Sequence, residues 1–310
     1  MAFSAAQLSL VAAIATMVVW GANFAITKYV LDAIGVGPFL FIRFLTMPLL
    51  GFALLLVVYR RHFAKSLPRR ADWPRFIAAG LIGHTVHVGI VTWGIDLSTA
   101  FSSSLVLTSG PLFTLLVLAL LGAERLRRQQ VAGTLAAFAG IVLFLSDKFA
   151  DGFSRAGLGD LVLLCAAALF SVYTVISKPL AARYGPLPLL AWTLAVGAPP
   201  LVLFTLPSFL AAPLATVPVS AWLGMFWAAV VSAFLGWLVW AWVNTVRGLA
   251  RSAPLMYLMP PISGLVAWPM LGEQFTALKL TGAALTMAGV AWAQYGGRKA
   301  DRAAIQPDPG

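Results

Sequence analysis

Long apolar runs without a single charge recur along most of this chain. Charged side chains are absent from the five stretches 2–27, 76–95, 97–123, 184–246 and 252–272. A helix crosses a hydrocarbon layer about 30 Å thick with about 20 apolar residues, because each residue adds about 1.5 Å. The stretch 184–246 is long enough for two crossings, and its prolines mark the break between them. The pattern predicts ten transmembrane helices, at 7–29, 38–59, 75–96, 100–121, 130–147, 158–178, 187–207, 219–244, 250–271 and 279–297.

The composition narrows the class of protein. Of the 310 residues, 61% are apolar and 10% are charged, whereas a soluble domain carries about 25% charge, so a soluble fold is excluded. The first apolar stretch has no basic segment before it and is repeated later in the chain, so we interpret it as a retained helix and not as a signal peptide. Cys165 is the only cysteine, which excludes an intrachain disulfide and a site of several thiolates.

The basic residues are distributed unevenly between alternate loops. Sixteen Lys and Arg residues lie at 60–75, 125–128, 178–183, 247–251 and 298–302, and only Lys28, Lys148, Arg155 and Lys279 lie in the other loops. Cytoplasmic loops carry the excess of basic residues. We therefore interpret the net charge of +11 as membrane topology, expect no nucleic-acid partner, and predict a multi-pass protein of the bacterial inner membrane with both termini in the cytoplasm. "Inner" and "outer" below mean these predicted sides.

The two halves of the sequence resemble each other. A shift of 150 residues places Lys28, Gly35, Pro38, Ala100, Ser102 and Pro111 on identical residues, and a shift of 149 does the same for Glu124, Gly133 and Gly140. We predict two repeats of five helices, residues 1–148 and 149–310. Because five is odd, the repeats have opposite orientations, an arrangement typical of secondary transporters.

Several short motifs carry a resemblance to a known family. They are Trp20-Gly21-Ala22-Asn23-Phe24, Arg43-Phe44, Pro111, Leu121-Gly122-Ala123-Glu124, Gly133 and Ala139-Gly140 in the first half, with Pro261, Leu271-Gly272-Glu273 and Ala288-Gly289 in the second. With these motifs the chain resembles the EamA-type repeat proteins of the drug/metabolite transporter superfamily, and within it the YddG-type aromatic amino acid exporters. The resemblance implies an all-α membrane fold and a secondary transporter, without a cofactor, that exports small neutral or aromatic amino acids and related metabolites by alternating access.

Polar and aromatic residues within the spans are candidates for a substrate path. Trp20, Asn23 and Thr27 share one face of the first helix, and the repeat gives Phe170, Tyr173 and Ser177 as the matching face of the sixth. Such faces either line a central cavity or join helices by hydrogen bonds. Aromatic walls with a few hydrogen-bonding groups suit an amino acid or an amphipathic metabolite.

His84 and His87 lie midway along the third span. They are proton-coupling groups, neutral residues of a cavity wall, or half of a metal site, and we expect no metal because no Cys, Asp or Glu is placed to complete a ligand set. The 150-residue shift sets Phe234 and Trp237 at the corresponding positions of the eighth span.

The fourth and ninth spans add hydroxyls and prolines. A proline within a span frees backbone carbonyls and allows bending, so Pro111 and Pro261 are candidates for a gate, or else simple structural kinks. The complete predicted substrate site consists of Trp20, Asn23, His84, His87, Ser104, Thr108, Tyr173, Trp237 and Tyr257.

Ionisable residues are scarce within the spans. No Asp or Glu lies near the middle of a span, which disfavours antiport driven through a carboxylate, although a proton-coupled multidrug or metabolite carrier remains the alternative. Arg43 is the only cation inside a span, so we do not expect an anionic substrate, and we expect Arg43 to cap helix-end carbonyls or to pair with Asp96 or Asp32.

The sequence also bears on an enzymatic function, on a channel function and on the oligomeric state. A membrane-embedded enzyme needs a nucleophile with a base, clustered carboxylates or a metal set, and the sequence shows none; a channel differs from a carrier in passing large single-channel currents. The expected partners are a small-molecule substrate and the lipid bilayer. Glycines of the fifth and tenth helices form close-packing seams within one protomer or between two, which leaves a monomer or a homodimer.

Overall fold

The computed structural model describes residues 4–120, 128–149, 154–247 and 252–305. These residues are helical and form no β-strand. The helices are α1 (Ala5–Ile34), α2 (Val36–Tyr59), α3 (73–97), α4 (Ala100–Thr108 and Gly110–Leu120), α5 (Arg128–Phe149), α6 (Arg155–Tyr184), α7 (Pro186–Ala211), α8 (219–247), α9 (Met259–Leu271, after a 3₁₀ segment Ala253–Leu258) and α10 (Ala277–Ile305). Short 3₁₀ turns at Phe63–Ser66, Arg70–Asp72 and Leu214–Thr216 complete the loops.

Seven helices in the described part of the chain are long and apolar enough to cross a membrane. They are α1, α2, α3, α5, α6, α7 and α8, while Leu255–Leu271 and Ala277–Ala293 are shorter apolar helices and α4 is divided at Ser109. Exposed apolar side chains on the surface of the helix bundle, such as Phe204 of α7 and Leu120 of α4, suit contact with lipid. The all-helical membrane fold is confirmed, and the count of ten spans stays a prediction.

The same local structures begin and end helices 150 residues apart. Ser4 and Ser154 cap α1 and α6, each accepting a hydrogen bond from the backbone N–H three residues later. Gly35 and Gly185 end these helices at φ values of 79° and 80°, a region that favours glycine. Each glycine is the whole connection to the next helix, so α1–α2 and α6–α7 are each joined by a single-residue turn.

The third and eighth helices each contain a π-helical segment that the apolar pattern does not reveal. The segment is Leu81–His87 in α3 and Trp227–Leu235 in α8. The two segments begin 146 positions apart, so counting from the start of each segment places Val230 and Ala233 at the positions of His84 and His87. The correspondence of the two histidines with Phe234 and Trp237 stays a prediction.

Pro111 and Pro261 do not kink continuous helices. Each lies in the first turn of a helix, Pro111 after the break at Ser109 and Pro261 after the 3₁₀ segment Ala253–Leu258. Proline is tolerated there, since the N–H groups of a first turn have no intrahelical acceptor. The predicted helix 100–121 is thus two helices, which places a bend before Pro111.

The glycine seam lies inside the protomer, between α5 and α10. A Cβ added at Gly133, Gly140, Gly282 or Gly289 would collide with the backbone of the opposite helix, near Ala293, Thr286, Phe144 and Ala137 respectively. Only glycine permits this approach, as in other helix pairs of membrane proteins. Glu124, which the repeat pairs with Glu273, lies outside the described residues.

Bonds between helix ends join residues predicted to lie on the same side of the membrane. At the inner side, Arg183 binds both oxygens of Asp72, at 2.7 and 2.9 Å. At the outer side, Arg155 Nη2 lies 3.0 Å from Asp96 Oδ2, and Tyr29 Oη lies 2.6 Å from Ser220 Oγ.

Candidate functional site

A cluster of two imidazoles and two aromatic rings lies midway along α3 and α6. We call His84, His87, Phe170, Tyr173 and Thr193 the histidine cluster. The His84 and Tyr173 rings meet edge to face at 5.8 Å, His87 and Phe170 lie 5.2 Å apart, and Phe170 and Tyr173 lie 5.9 Å apart. The structure therefore brings together three of the predicted site residues, His84, His87 and Tyr173, and adds Thr193 from α7.

The hydrogen bonds of His84 define its tautomer. Its Nε2 lies 3.0 Å from Thr193 Oγ1, and this hydroxyl donates its only proton to the Leu189 carbonyl at 2.7 Å. Nε2 must then carry the proton and donate to Thr193. Neutral His84 keeps Nδ1 as a hydrogen-bond acceptor.

His87 has the opposite tautomer. Its Nδ1 lies 2.9 Å from the carbonyl oxygen of Ala166 in α6, and since a carbonyl only accepts, Nδ1 donates. Nε2 is left as the acceptor. Each imidazole thus uses one N–H to hold its position and retains one acceptor nitrogen, as a neutral wall residue would.

Trp20 lies in a different interface, between α1 and α8. Its Nε1 donates to the Ser232 carbonyl at 3.0 Å, within the π-helical segment, and its ring lies 5.7 Å from Trp240. A Cβ on Gly236 would approach Trp20 Nε1 to 2.6 Å, so this glycine makes room for the indole. Trp20 is not part of the histidine cluster.

Two polar atoms on the Trp20 face of α1 lack partners. Asn23 Oδ1 and Thr27 Oγ1 are buried without a hydrogen bond to any described residue. Buried polar atoms in native proteins nearly always have a partner. Whether this face lines a cavity or joins helices stays a prediction.

The remaining predicted site residues lie outside the histidine cluster, on α4, α8 and the segment before α9. Ser104 donates to the Phe101 carbonyl of its own helix at 2.7 Å, whereas the buried Thr108 Oγ1 has no partner among the described residues. Tyr257 packs against the apolar group around Leu112 and Val290. Trp237 is half-buried in α8, and within the described ranges no ring contact joins it to the histidine cluster.

A separate cavity of about 590 Å³ opens between α4, α9 and α10. Pro261, Trp268 and Phe275 contribute to its wall, and Pro261 is the only predicted site residue among its lining residues. Its polar end is Glu273, whose carboxylate accepts the backbone N–H groups of Ala100 at 2.5 Å and Phe101 at 3.2 Å. Glu273 therefore caps α4.

Two charged residues within the helices differ from the expectation, the buried carboxylate Asp160 and the cation Arg43. Asp160 in α6 is fully buried and accepts hydrogen bonds from Ser98 and, at 2.5 Å, from Ser102. The expected pairing of Arg43 with Asp96 or Asp32 is wrong, because Asp96 binds Arg155 and Asp32 lies 3.8 Å from Lys28. Over the described ranges, no three His, Cys, Asp or Glu side chains are close enough to hold a metal ion.

Both halves of the chain match one family of known proteins. The family model of EamA-like transporters matches residues 7–146 and 157–294. The chain belongs to the EamA-like transporter family. It is therefore a multi-pass membrane transporter with a small-molecule substrate and a lipid environment.

Similar proteins carry names related to amino acids. The chain is 29% identical over 281 residues to a probable terminal-alkyne amino-acid exporter of Streptantibioticus cattleyicolor, covering 90% of this chain and 91% of that protein. It is 29% identical over 293 residues to a probable amino-acid metabolite efflux pump of Salmonella typhimurium, covering 90% and 92%. A solved crystal structure matches with a TM-score of 0.60 and 22% identity over 97% of this chain and 100% of the other, which shows the fold alone.

Proposed function

We propose that this transporter exports small neutral or aromatic amino acids and related metabolites from the bacterial cytoplasm by alternating access, as a uniporter. The histidine cluster is the observation that supports the proposal. It offers acceptor nitrogens, a phenol and aromatic rings, which suit a solute with few polar groups and an apolar side chain. The names of the similar proteins support the same class of substrate.

The proposed site combines the histidine cluster with half-buried aromatic rings from other helices. His84, His87 and Tyr173 would supply directional hydrogen bonds, and Trp20, Trp237 and Tyr257 would supply aromatic walls. Asn23, Ser104 and Thr108 would add polar contacts, and the bends before Pro111 and Pro261 would move during gating.

The proposed topology has ten spans in two inverted repeats, residues 1–148 and 149–310, with both termini in the cytoplasm. The pairing of helix ends at Asp72–Arg183 and Asp96–Arg155 supports the assignment of these ends to common sides. Reporter fusions to the C-terminus test the orientation. An extracytoplasmic C-terminus would reject both the orientation and the inverted repeat.

The proposed function is tested by counterflow in proteoliposomes containing the purified chain. Labelled phenylalanine, leucine and alanine should exchange against unlabelled substrate without any pH gradient, and His84→Ala should reduce the flux or change the preference while the protein still elutes as a single species. Arg155→Gln, at an exposed helix end, is the control. Absence of exchange for the whole panel would reject the proposal.

Proton-coupled transport is the second candidate, and Asp160 is the observation that favours it. A carboxylate buried among α3, α4 and α6 could bind and release a proton, although its serine partners already donate to it. Uptake would then need an imposed pH gradient, and Asp160→Asn would abolish that requirement. The half-exposed Asp32 provides the control variant Asp32→Asn.

A further inference from the structure

Arg43 points into the protein from α2. Phe39 and Met47, four residues before and after it, lie on the same face of the helix and are buried in apolar clusters with α1 and α7 residues. The guanidinium carbon lies 5.9 Å from the centre of the Phe39 ring. An inward position about seven residues into the helix takes the charge about 10 Å below the outer end of α2, at about 1.5 Å per residue.

This guanidinium has no protein partner in the described part of the chain. Its Nε is covered and makes no hydrogen bond, and no carboxylate or carbonyl there accepts any of its N–H groups. The carboxylates expected to pair with it are held by other cations, Asp96 by Arg155 and Asp32 by Lys28. A guanidinium carries five donors in a planar fork that matches a carboxylate. Here Nε is covered, and the four N–H groups on the two Nη atoms are available.

The neighbours of Arg43 complete a site for a zwitterion. α2 contacts the part of α3 that follows His87, and Val88 packs against the apolar cluster that contains Met47. Arg43 and the two imidazoles therefore lie on neighbouring helices. Both imidazoles use their N–H for structural hydrogen bonds and keep acceptor nitrogens, which suit an ammonium group. A cation on one wall and acceptors on the other match the two ends of an amino acid.

We propose that Arg43 binds the carboxylate of the transported solute through a charge-assisted, bidentate hydrogen bond. The inference rests on the proposed function and restricts it, because solutes that lack a free carboxylate would be excluded. A single intramembrane cation is enough for such a solute, since a zwitterion has no net charge. Phe39 and the rings of the histidine cluster would contact the apolar side chain.

The test compares the competition of three compounds with labelled phenylalanine for counterflow in proteoliposomes. Unlabelled phenylalanine should compete at least about tenfold more strongly than phenylalaninamide or phenethylamine, which keep the ring and the amine but lack the carboxylate. Arg43→Gln should abolish this discrimination, whereas Arg43→Lys should retain part of it. A loss of folding alone would lower the flux without changing the ratio between the competitors.

The outcomes separate this inference from the proposed function. If phenylalanine exchanges but the amide competes equally well in the parent protein, or if Arg43→Gln keeps the parent ratio, Arg43 does not bind the carboxylate while amino acid transport stands. If Arg43→Gln does not fold, the comparison of competitors in the parent protein decides. If no amino acid exchanges, both proposals are rejected.

Discussion

The α3–α6 and α1–α8 interfaces follow one plan with different chemistry. In each, a helix with a π-helical segment packs against a 30-residue helix, and a ring N–H donates to a carbonyl of the opposite helix, from His87 to Ala166 at 2.9 Å and from Trp20 to Ser232 at 3.0 Å. Ion pairs join both ends of α3–α6, whereas a hydroxyl pair, Tyr29 with Ser220, joins the outer end of α1–α8.

The two interfaces differ in the polar ring atoms that these hydrogen bonds leave unused. The indole of Trp20 has a single polar group, and that group is already used. The imidazoles of the α3–α6 interface keep an acceptor nitrogen each. We infer that the imidazoles of the α3–α6 interface accept hydrogen bonds from the ammonium group of the solute, and that Trp20 of the α1–α8 interface contributes ring surface.

The largest effect on stability is expected from adding a methyl group at the glycines that make room for the rings of Tyr173 and Trp20. A Cβ at Gly83 would lie 2.7 Å from Tyr173 Cε2, and one at Gly236 would lie 2.6 Å from Trp20 Nε1. Gly83→Ala and Gly236→Ala should each destabilise the protein by about 1–3 kcal/mol through overpacking, measured by thermal unfolding in detergent.

Gly83→Ala should change substrate preference in counterflow more than Gly236→Ala does, because it displaces Tyr173, which would supply a directional hydrogen bond beside His84. Gly89→Ala is the matched control, since its Cβ would make an ordinary contact of 3.6 Å with Leu201. Equal changes of preference in both variants would remove the distinction between the interfaces.

An intermediate effect is expected from removing each ring N–H. His87→Phe and Trp20→Phe both leave a carbonyl without its donor, so each should destabilise the protein by about 1 kcal/mol. His87→Phe also deletes an acceptor nitrogen and should alter the preference among amino acids, which Trp20→Phe should retain. The counterflow panel measures this, and a changed preference in Trp20→Phe alone would reverse the assignment.

The smallest effect is expected from the outer ion pair of α3–α6. The Arg155 side chain is 71% exposed, and exposed pairs contribute about 0–1 kcal/mol. Arg155→Gln should therefore shift thermal unfolding only slightly and leave transport unchanged. A large loss of stability would show that the ends, and not the centre, hold this interface together.

The helices were predictable because apolar runs and loop charges record membrane crossing directly. The matching residues Gly35 and Gly185 marked the two single-residue turns in the sequence. The π-helical segments were not predictable, because one additional residue in a turn leaves an apolar run unchanged.

The site was predictable by residue type but not by grouping. Helical spacing placed Trp20 and Tyr173 on matching faces of α1 and α6, yet spacing within a helix does not state which neighbour that face contacts. The positions of Arg43 and Asp160 depend on competition between partners, such as Arg155 for Asp96, which only three-dimensional contacts decide.

The single-glycine connections at Gly35 and Gly185 limit how this protein can be modified and moved. Each connection has no additional residues between two long helices. A tag, epitope or protease site inserted there would therefore disturb the turn that joins the two helices. The connection between α2 and α3, which includes the 3₁₀ turns Phe63–Ser66 and Arg70–Asp72, offers room instead. For the same reason, any change in the angle between α1 and α2, or between α6 and α7, during transport should be concentrated at this one residue.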